Sequence, residues 1–521
     1  DFRQSETVGD IKLAWEINRL QFLQPLAAQA ALAGGAAECA AIEQAIASWY
    51  AANPPYRGIG WASGIEVALR AISLLLVLSF CGERLSAPTI ERIGAILRAS
   101  AFWLERFPSH FSSANNHLMA ELAGRYLIAV ALNAHRSAAT AQGEIEREVR
   151  KQILPDGVGA EQSPTYAAFT AEMALLCALV ARHSQTPFSP EAAARLADFA
   201  DFIFWLVGPD CTVPAIGDED EGRAINLCQP EPDYAVSVAT AIKGFVGQSA
   251  PLAAPVSLRN AIFAAPTKIQ PVAEGAKTFR DGGYSIWRGR HAHHDMQVVL
   301  DHGPLGYLSI AAHGHADALA LWLALDGRPV LIDPGTYRYQ AGGAWRDWFR
   351  SSRAHNTLTL AGAGQSLASG AFNWSHKAVA RLDALTETPW RVSASHDGYQ
   401  ARFGVRHQRV VALTDQGLLI EDRLVGGASL PGELSFQLAA DLSGQIEGNT
   451  VRVTRSGKAV LSLILPSADI AIIRAGGPDA GGWIAPRFGH KLPADRIVWT
   501  GPVGPAGVSS QIVFASGGPA K

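Results

Sequence analysis

Two histidines separated by a single residue, and an aspartate further along, interrupt an apolar stretch in the second half of the chain. The stretch "AAHGHADALALWLALDGRPVLIDPGTYRY" carries them as His313, His315 and Asp333. Its pattern predicts a β-hairpin that turns at the Asp-Gly pair 326–327. On a strand, His313 and His315 point to the same face, and the returning strand brings Asp333 close to His315.

A third imidazole, His355 in "FRSSRAHNTLTL", lies at the start of another predicted strand. Two imidazoles and one carboxylate are ligands that zinc prefers, so His315, Asp333 and His355 are predicted to bind Zn²⁺ or another divalent metal. We interpret this metal as structural, although three protein ligands can also leave an open catalytic position. Asp317 is an alternative ligand on the same strand face. The alternative to any metal is a set of hydrogen-bonded polar residues in the core.

Polar residues also concentrate at two predicted helix starts in the first half. "FSSANNHLMAELAG" places Asn115, Asn116 and His117 where a helix begins, and capping explains only one of the two asparagines. Glu121 lies one turn after His117, on the same helix face, and can orient its imidazole. The loop "PDGVGAEQSPTYAAFT" is the second such place. Its candidate residues are Glu161, Gln162 and Tyr166, and ordinary packing is the alternative for a single tyrosine.

Further candidates are weaker, because each has an ordinary structural explanation. In "GWASGIEVALR" a sugar ring can stack on Trp61 and Arg70 can bind substrate, but a core tryptophan explains Trp61 equally well. "AWRDWFRSSR" offers arginines with forked hydrogen-bond donors for carboxylate or sulfate groups. "PAIGDEDEGR" reads equally well as a solvated acidic turn. "RHAHHDMQ" is a second candidate metal-binding cluster, but a solvated strand edge is the favoured explanation. These three runs contain Arg346, Arg350 and Arg353; Asp218, Asp220 and Arg223; and His291, His293, His294 and Asp295.

The elements that must position these residues differ between the two halves. Residues 1–250 carry apolar residues at three- and four-residue spacing, which predicts about nine or ten helices paired into hairpins. Stacked helical hairpins close into a ring or curve as a solenoid. Over residues 258–521 the period changes to two, and turn pairs such as Ser-Gly 456–457 recur. The sequence therefore predicts a helical domain followed by an antiparallel β-sandwich.

Composition supports large buried cores and excludes several classes of protein. Of 521 residues, 48% are hydrophobic and 17% charged, the latter below the usual level of about 25%. A net charge of -3 gives no electrostatic reason to expect nucleic-acid binding. The most apolar stretch, "IEVALRAISLLLVLSFC", contains Glu66 and Arg70, which favours a buried helix over a membrane span. Nothing in the sequence indicates an oligomeric state.

The beginning of the chain and its cysteines bear on the cellular compartment. The opening "DFRQSETVGD" lacks the basic and apolar segments of a signal peptide. None of the five cysteines forms a CxxC pair, so a zinc ribbon or a redox motif is not expected. An odd number leaves at least one free thiol, and a Cys211–Cys228 disulfide is one available pairing.

Taken together, the motifs "SSANNHLMAE", "DGVGAEQSPTY", "HGHADAL…DPGTYRY" and "SSRAHNTL" resemble those of the heparinase II/III-like polysaccharide lyases, in the same order along the chain. The resemblance runs from "VGDIKLAWEINR" to about residue 360. It implies an incomplete N-terminal (α/α) toroid followed by a C-terminal antiparallel β-sandwich. That agrees with the two halves deduced from periodicity.

The resemblance also implies roles for individual residues. Asn116 and His117 match the positions that neutralise a substrate carboxylate, Tyr166 matches the catalytic tyrosine, and His313 matches the catalytic histidine of the sandwich domain. The zinc site of the family matches the three ligands His315, Asp333 and His355. The implied activity is β-elimination in a uronic-acid-containing polysaccharide, such as a glycosaminoglycan, alginate or a bacterial exopolysaccharide.

Two other functions are alternatives to a lyase. A glycoside hydrolase on a helical toroid would need two carboxylates flanking the scissile bond, for which Glu161 with Asp218 or Asp220 could serve. A non-catalytic glycan-binding or exopolysaccharide-assembly protein could share the fold. An acidic polysaccharide or oligosaccharide is the expected partner. The expected location is the periplasm or the exterior, from function and not from any signal in the chain.

Overall fold

Apolar residues spaced by three and four become helices throughout the N-terminal half. The computed structural model describes residues 10–208, 210–226, 233–252, 257–264, 266, 268–467 and 469–516. The helices run α1 Ile11–Asn18, α2 Leu23–Ala33, α3 Ala36–Ala52, α4 Gly64–Cys81, α5 Ala87–Arg106, α6 Asn116–Ala131, α7 His135–Gln152, α8 Pro164–His183, α9 Pro190–Leu206, α10 Tyr234–Phe245 and α11 Leu258–Phe263.

The chain divides into two compact units that are not contiguous in sequence. The helical unit comprises Asp1–Gly157, Tyr166–Asp201 and Gly222–Pro271, and the sheet unit comprises Val158–Thr165, Phe202–Glu221 and Val272–Lys521. Two short segments of the N-terminal half therefore belong to the sheet unit. Apolar periodicity does not reveal them, because neither segment has a strand pattern of its own.

Within the helical unit, consecutive helices pair as hairpins, α2 with α3, α4 with α5 and α6 with α7. Helix α4 also contacts α2 and α6, and most of its residues are buried, which explains why apolar residues predominate in it in spite of Glu66 and Arg70. Two segments, Gly64–Arg84 and Pro164–His183, are long and apolar enough to cross a membrane, but 72% and 83% of their apolar windows are buried inside the protein. This burial agrees with the predicted core helix.

Strand-like alternation in the C-terminal half becomes antiparallel sheet. The elements are β1 Gly275–Phe279, β2 Tyr284–His291, β3 His294–Asp301, β4 Leu321–Leu325, β5 Arg328–Leu331, α12 Ala344–Phe349, β6 Leu358–Leu360, β7 Leu367–Ala368, β8 Trp374–His376, β9 Ala380–Glu387, β10 Trp390–His396, α13 Gln400–Phe403, β11 Arg406–Thr414, β12 Gly417–Val425, β13 Leu430–Gln437, β14 Leu442–Glu447, β15 Thr450–Arg455, β16 Lys458–Ile464, β17 Ile470–Ile473, β18 Trp483–Arg487, β19 His490–Pro493, β20 Arg496–Val503 and β21 Val508–Phe514.

These strands form a five-stranded sheet β1-β2-β3-β4-β5, an eight-stranded sheet β14-β15-β16-β21-β12-β11-β10-β9 and a four-stranded sheet β17-β20-β13-β6. Two small hairpins, β7-β8 and β18-β19, complete the unit among the described residues. One apolar core joins the three large sheets through alternate residues, such as Leu321, Leu323 and Leu325 of β4. The helical half and the antiparallel half appear in the predicted order, which confirms the fold class.

The predicted hairpin turns are also confirmed. Asp326 and Gly327 connect β4 to β5, and Ser456 and Gly457 connect β15 to β16. All four residues have positive φ, between 48° and 81°, as the central residues of a type I′ turn require.

Candidate functional site

His313 and His315 lie in a loop that precedes β4, and not on a strand as predicted. Residues 302–320 contain turns and bends but no strand, and regular pairing starts only at Leu321. The cause is a tight fold of the chain: a Cβ on Gly314 would lie 1.5 Å from the carbonyl oxygen of Leu305, so only glycine fits between the two histidines. The histidines are therefore positioned by loop packing and not by strand alternation.

The three predicted metal ligands nevertheless meet. Asp333 follows β5, His355 precedes β6, and one ligand atom each from His315, Asp333 and His355 lies within 4.8 Å of the others. The Nδ1 atom of His315 is 3.3 Å from Nε2 of His355, which is 3.5 Å from an oxygen of Asp333. This donor set suits zinc.

Hydrogen bonds orient both imidazoles toward this cluster. Nδ1 of His355 is 2.7 Å from the carbonyl oxygen of Ser351, so it carries the proton and leaves the Nε2 lone pair for a metal. Burial lowers the pKa of His355 to about 4. Burial also lowers the pKa of His315 and raises that of Asp333 to about 6. Both rings are therefore neutral at pH 7, the form that binds metal.

Asp218 organises the neighbourhood of both loop histidines. Its carboxylate accepts hydrogen bonds from Nδ1 of His313 and from Nε2 of His315, each at 3.1 Å. Both oxygens also accept from the Arg346 guanidinium, one of them at 2.7 Å. Asp218 is 0% exposed, so the interpretation of "PAIGDEDEGR" as a solvated turn is wrong at this position.

The charges around Asp218 fix its ionisation and influence that of His313. Burial alone would raise the pKa of Asp218, but the Arg346 charge and the donated hydrogen bonds hold that pKa well below its ordinary value. Burial lowers the pKa of His313, but the hydrogen bond to Asp218 and the charge of Glu161 outweigh it, so the net shift is upward. The Glu161 carboxylate lies 3.8 Å from Nε2 of His313.

Three segments of the sheet unit contact one another around this carboxylate, through residues 162–163, 217–218 and 313. The Asp218 amide donates to the His313 carbonyl at 2.8 Å, and the Ser163 hydroxyl donates to the Asp218 carbonyl at 2.7 Å. Gly217 has a φ of +66°, and a Cβ there would lie 2.5 Å from the Gln162 carbonyl oxygen and 2.9 Å from that of His313. Glycine is required at this crossing because any side chain would separate the segments.

Aromatic rings flank the same residues. The Arg346 guanidinium lies over Tyr339 and Phe372, at 5.0 and 5.4 Å from the ring centroids. The His313 ring is 6.4 Å from Tyr339 and 6.0 Å from Phe372. Sequence reasoning missed both rings and underrated Asp218. The available signal was weak: Asp218 is the one acidic residue of its run that directly follows an apolar and glycine stretch.

A small cavity of about 20 Å³ adjoins the cluster of His315, Asp333 and His355. Asp301, Asp317 and Asp333 line it together with His355. Burial raises the pKa of Asp301 to about 7 and that of Asp317 well above its ordinary value. Asp317, the predicted alternative ligand, is not part of the three-residue cluster among the described residues.

In the helical unit, Asn115 caps α6 by accepting a hydrogen bond from the His117 amide at 3.2 Å. Asn116 is buried and His117 half-buried at the start of that helix. Glu121 does not orient His117 as predicted. Its two carboxylate oxygens accept instead from the amide and hydroxyl of Ser109, both at 2.7 Å.

Tyr166 lies in the first turn of α8 and belongs to the helical unit, with 6% of its surface exposed. The preceding residues Glu161 and Gln162 belong to the sheet unit. Gln162 has a positive φ of 57° and accepts from the Tyr284 hydroxyl at 2.9 Å. The predicted loop thus supplies residues to both units.

Trp61 and Arg70 contact each other inside the helical unit. The Arg70 guanidinium lies 4.6 Å from the Trp61 ring centroid, and both side chains are almost completely buried. The alternative of a core tryptophan therefore fits the structure, and we do not propose that either residue contacts substrate.

The remaining weak candidates also have structural partners. Arg353 makes a bidentate ion pair with Glu433, at 3.1 and 3.0 Å, and Arg223 lies against the ring of Tyr234 at 5.4 Å. The predicted histidine-rich cluster forms the β2–β3 hairpin, where His294 pairs with Asp326 at 2.6 Å. It gathers no metal-binding group within the described residues.

The cysteines contribute nothing to the described site. Cys39, Cys81 and Cys177 are buried free thiols. Cys228 lies outside the described residues, and with it the predicted pairing to Cys211.

Two family models match the chain. The model described as heparinase II/III N-terminus matches residues 1–230, and the model described as heparinase II/III-like, C-terminal, matches residues 271–516. A search of the curated proteins found no match.

Solved structures share the fold at low sequence identity. A heparan sulfate lyase HepC mutant from Pedobacter heparinus is 19% identical, with a TM-score of 0.66, covering 99% of this chain and 79% of its own. A structure of heparinase III is 16% identical, with a TM-score of 0.72 and coverages of 96% and 77%. A chondroitin AC lyase from Streptomyces coelicolor A3 is 13% identical, with a TM-score of 0.58 and coverages of 98% and 76%.

Proposed function

Because the chain belongs to the heparinase II/III-like family, we propose that it is a polysaccharide lyase that cleaves a uronic-acid-containing polysaccharide by β-elimination. The observation that carries this proposal is the buried His313, whose imidazole is held by Asp218 with its other nitrogen toward Glu161. The similar structures are of heparan sulfate and chondroitin lyases, which supports the same reaction class.

β-Elimination removes the proton on C5 of the uronate, beside a carboxylate, and expels the glycosidic oxygen from C4. Proton removal builds negative charge on a group that is already anionic. We propose that Asn116 and His117 donate hydrogen bonds to that carboxylate and stabilise the enolate-like state. One such donor in a water-poor site contributes about 3–4 kcal/mol.

Two groups are proposed to move the protons. The ordinary pKa of a tyrosine hydroxyl is about 10, so Tyr166 needs nearby positive charge to act as a base, whereas it can protonate the leaving oxygen directly. His313 is the second acid/base group. Its Nδ1 proton is held by Asp218, so Nε2 is the atom that would exchange a proton with substrate.

We propose that His315, Asp333 and His355 hold a structural Zn²⁺. Bound there, the ion would join the loop that carries His313 to the segments that follow β5 and precede β6, and so fix that loop. The residues fit this role because two neutral imidazoles and one carboxylate already face one another.

A weakly sulfated or unsulfated polymer is the substrate class that we propose. Of the arginines predicted to bind carboxylate or sulfate groups, Arg346 is paired with Asp218 and Arg353 with Glu433, and the chain has a net charge of -3. We further propose that the enzyme acts in the periplasm or outside the cell, where such polymers occur.

A panel of uronate polymers tests the reaction. It would include hyaluronan, heparan sulfate, chondroitin, alginate and bacterial exopolysaccharides, each followed by ultraviolet absorbance for the unsaturated uronate and by a reducing-end assay. We expect both signals to rise together on at least one polymer, and to be lost with His313→Gln. Reducing ends without new absorbance would indicate a glycoside hydrolase, and binding without products would indicate a glycan-binding protein.

A further inference from the structure

A single carboxylate contacts both loop histidines, and it does so at opposite ring positions. Asp218 accepts from Nδ1 of His313 and from Nε2 of His315, each at 3.1 Å and through a different oxygen. An ionised carboxylate only accepts hydrogen bonds, so each nitrogen that faces it must carry the proton. In neutral rings, the lone pairs are then on Nε2 of His313 and on Nδ1 of His315.

These are the atoms that the two proposed roles need. Nδ1 of His315 points into the metal cluster, 3.3 Å from Nε2 of His355. Nε2 of His313 is the atom proposed for proton transfer. We propose that Asp218 is a positioning residue that holds His313 and His315 in complementary tautomers, with Arg346 fixing the carboxylate between them.

Arg346 is suited to this task because its guanidinium forms a forked pair with both oxygens of Asp218. The arginine is itself held by the Ala371 carbonyl, which accepts from Nε at 2.9 Å, and by the flanking rings of Tyr339 and Phe372. Each carboxylate oxygen therefore receives one arginine and one histidine hydrogen bond, and Oδ1 also accepts from the Thr336 hydroxyl at 3.4 Å. The carboxylate group cannot rotate without breaking hydrogen bonds at both of its oxygens.

The inference concerning His313 rests on the proposed lyase activity, whereas that concerning His315 rests only on metal binding. The two can fail separately. A carboxylate behind a metal-binding histidine usually raises metal affinity by about 10- to 100-fold. A positioned acid/base group usually contributes about 10²–10⁴-fold to the rate.

The sheet unit contains a matched control. Asp422 on β12 is also 0% exposed, accepts from Nε2 of His407 at 2.6 Å and makes a bidentate pair with Arg409 at 2.8 and 3.0 Å. Its partners are of the same types as those of Asp218, but none belongs to the metal cluster or to the proposed machinery. Asp422→Asn thus reproduces the general cost of neutralising a buried, arginine-paired aspartate.

The experiment compares Asp218→Asn with Asp422→Asn as full-length, zinc-loaded proteins whose folding is checked by circular dichroism. Zinc affinity is measured by competition with a chromogenic chelator, and kcat and KM are measured on a polymer that wild type cleaves. We expect Asp218→Asn to bind zinc about 10- to 100-fold more weakly. We also expect its kcat to fall by about 100-fold with little change in KM. Asp422→Asn should keep both wild-type values.

Equal zinc affinities and equal kcat values for the two variants would overturn the inference. If wild type cleaves no polymer, the proposed function fails, and the zinc comparison alone still decides the part that concerns His315. Should Asp218→Asn not fold, Asp218→Glu replaces it, because it keeps the charge but displaces the carboxylate. A folded Asp218→Glu with wild-type zinc affinity and kcat would contradict the inference equally.

Discussion

The Nε2 atom of His355 lies 3.5 Å from Oδ2 of Asp333, and the two residues stand at the ends of strands that belong to different sheets. Asp333 follows β5 of the five-stranded sheet, and His355 precedes β6 of the four-stranded sheet. A metal bound by both residues would therefore cross-link the two sheets in addition to holding the loop that carries His315.

Removal of this metal should lower the stability of the protein, and the effect should depend on His355 as a ligand. We expect chelator treatment to lower the melting temperature of wild type, and the difference to vanish in His355→Ala, which can no longer hold the ion. Differential scanning calorimetry with and without zinc measures the effect. His490→Ala, at an exposed histidine of the sheet unit, should respond to zinc as wild type does. A zinc-dependent melting temperature that persists in His355→Ala would refute the predicted ligand set.

In the metal-free protein, the contribution of Asp301 to stability should fall as the pH rises from 5 to 8. Burial raises the pKa of Asp301 to about 7, so the folded chain retains a proton that the unfolded chain releases at an ordinary pKa near 3.8. The stabilisation is complete below the unfolded value and is lost as the pH rises through the folded one. Over this range we expect a loss of about 2–3 kcal/mol, at roughly 1.4 kcal/mol per unit.

Urea denaturation of chelator-treated protein at pH 5 and pH 8 measures this loss. In Asp301→Asn the side chain cannot titrate, so the unfolding free energy at pH 8, relative to that at pH 5, should be higher than in wild type by that amount. The same difference between the two pH values in wild type and in Asp301→Asn would show that Asp301 does not contribute to the pH dependence.

Periodicity in the sequence was sufficient to predict the fold class, because long apolar repeats and Asp-Gly or Ser-Gly turns depend on local chemistry. The grouping of His315, Asp333 and His355 was also predictable, since these residue types have few other uses in an apolar stretch. The path of the chain at His313 was not predictable. It depends on the approach of Gly314 to the Leu305 carbonyl, a contact that alternation of residue types does not record.

The role of Asp218 was hidden for a similar reason. Its sequence neighbours Glu219, Asp220 and Glu221 are acidic, which suggests a solvated turn. Its burial comes from residues far along the chain, Arg346 above all, whose positive charge offsets the cost of burying the carboxylate. Glu121 was misjudged because helix spacing identified His117 as its neighbour, whereas Ser109, outside the helix, binds both of its oxygens.

Tyr166→Phe should abolish most of the activity and leave the fold intact, because it removes one hydroxyl and changes little volume. We expect kcat to fall by about 10²–10⁴-fold with KM nearly unchanged, as for loss of a general acid or base. The ultraviolet assay on a cleaved polymer measures both constants. Tyr126→Phe, at another buried tyrosine of the helical unit, is the control and should keep wild-type kcat. Wild-type turnover by Tyr166→Phe would remove this residue from the proposed mechanism.

Gly217→Ala should destabilise the protein by more than the cost of placing an alanine at a positive φ. Gly217 and Gly448 have nearly the same φ, +66° and +65°, but a Cβ at Gly448 meets nothing within 4 Å, whereas at Gly217 it would lie 2.5 and 2.9 Å from two backbone carbonyl oxygens. Gly448→Ala therefore measures the conformational cost, about 1 kcal/mol. We expect Gly217→Ala to cost at least about 2 kcal/mol more, because backbone must move to relieve the clash.

The displaced backbone is that of Gln162 and His313, so the substitution should also move Asp218 away from its histidines. Zinc affinity should fall in Gly217→Ala and stay at the wild-type value in Gly448→Ala. Urea denaturation gives the two stability costs, and chelator competition gives the two affinities. Equal stability losses would mean that the sheet unit accommodates a methyl group at this crossing. In that case the packing around the Asp218 carboxylate would tolerate a larger side chain than its contacts imply. The segments concerned are 161–163, 217–218 and 313–315.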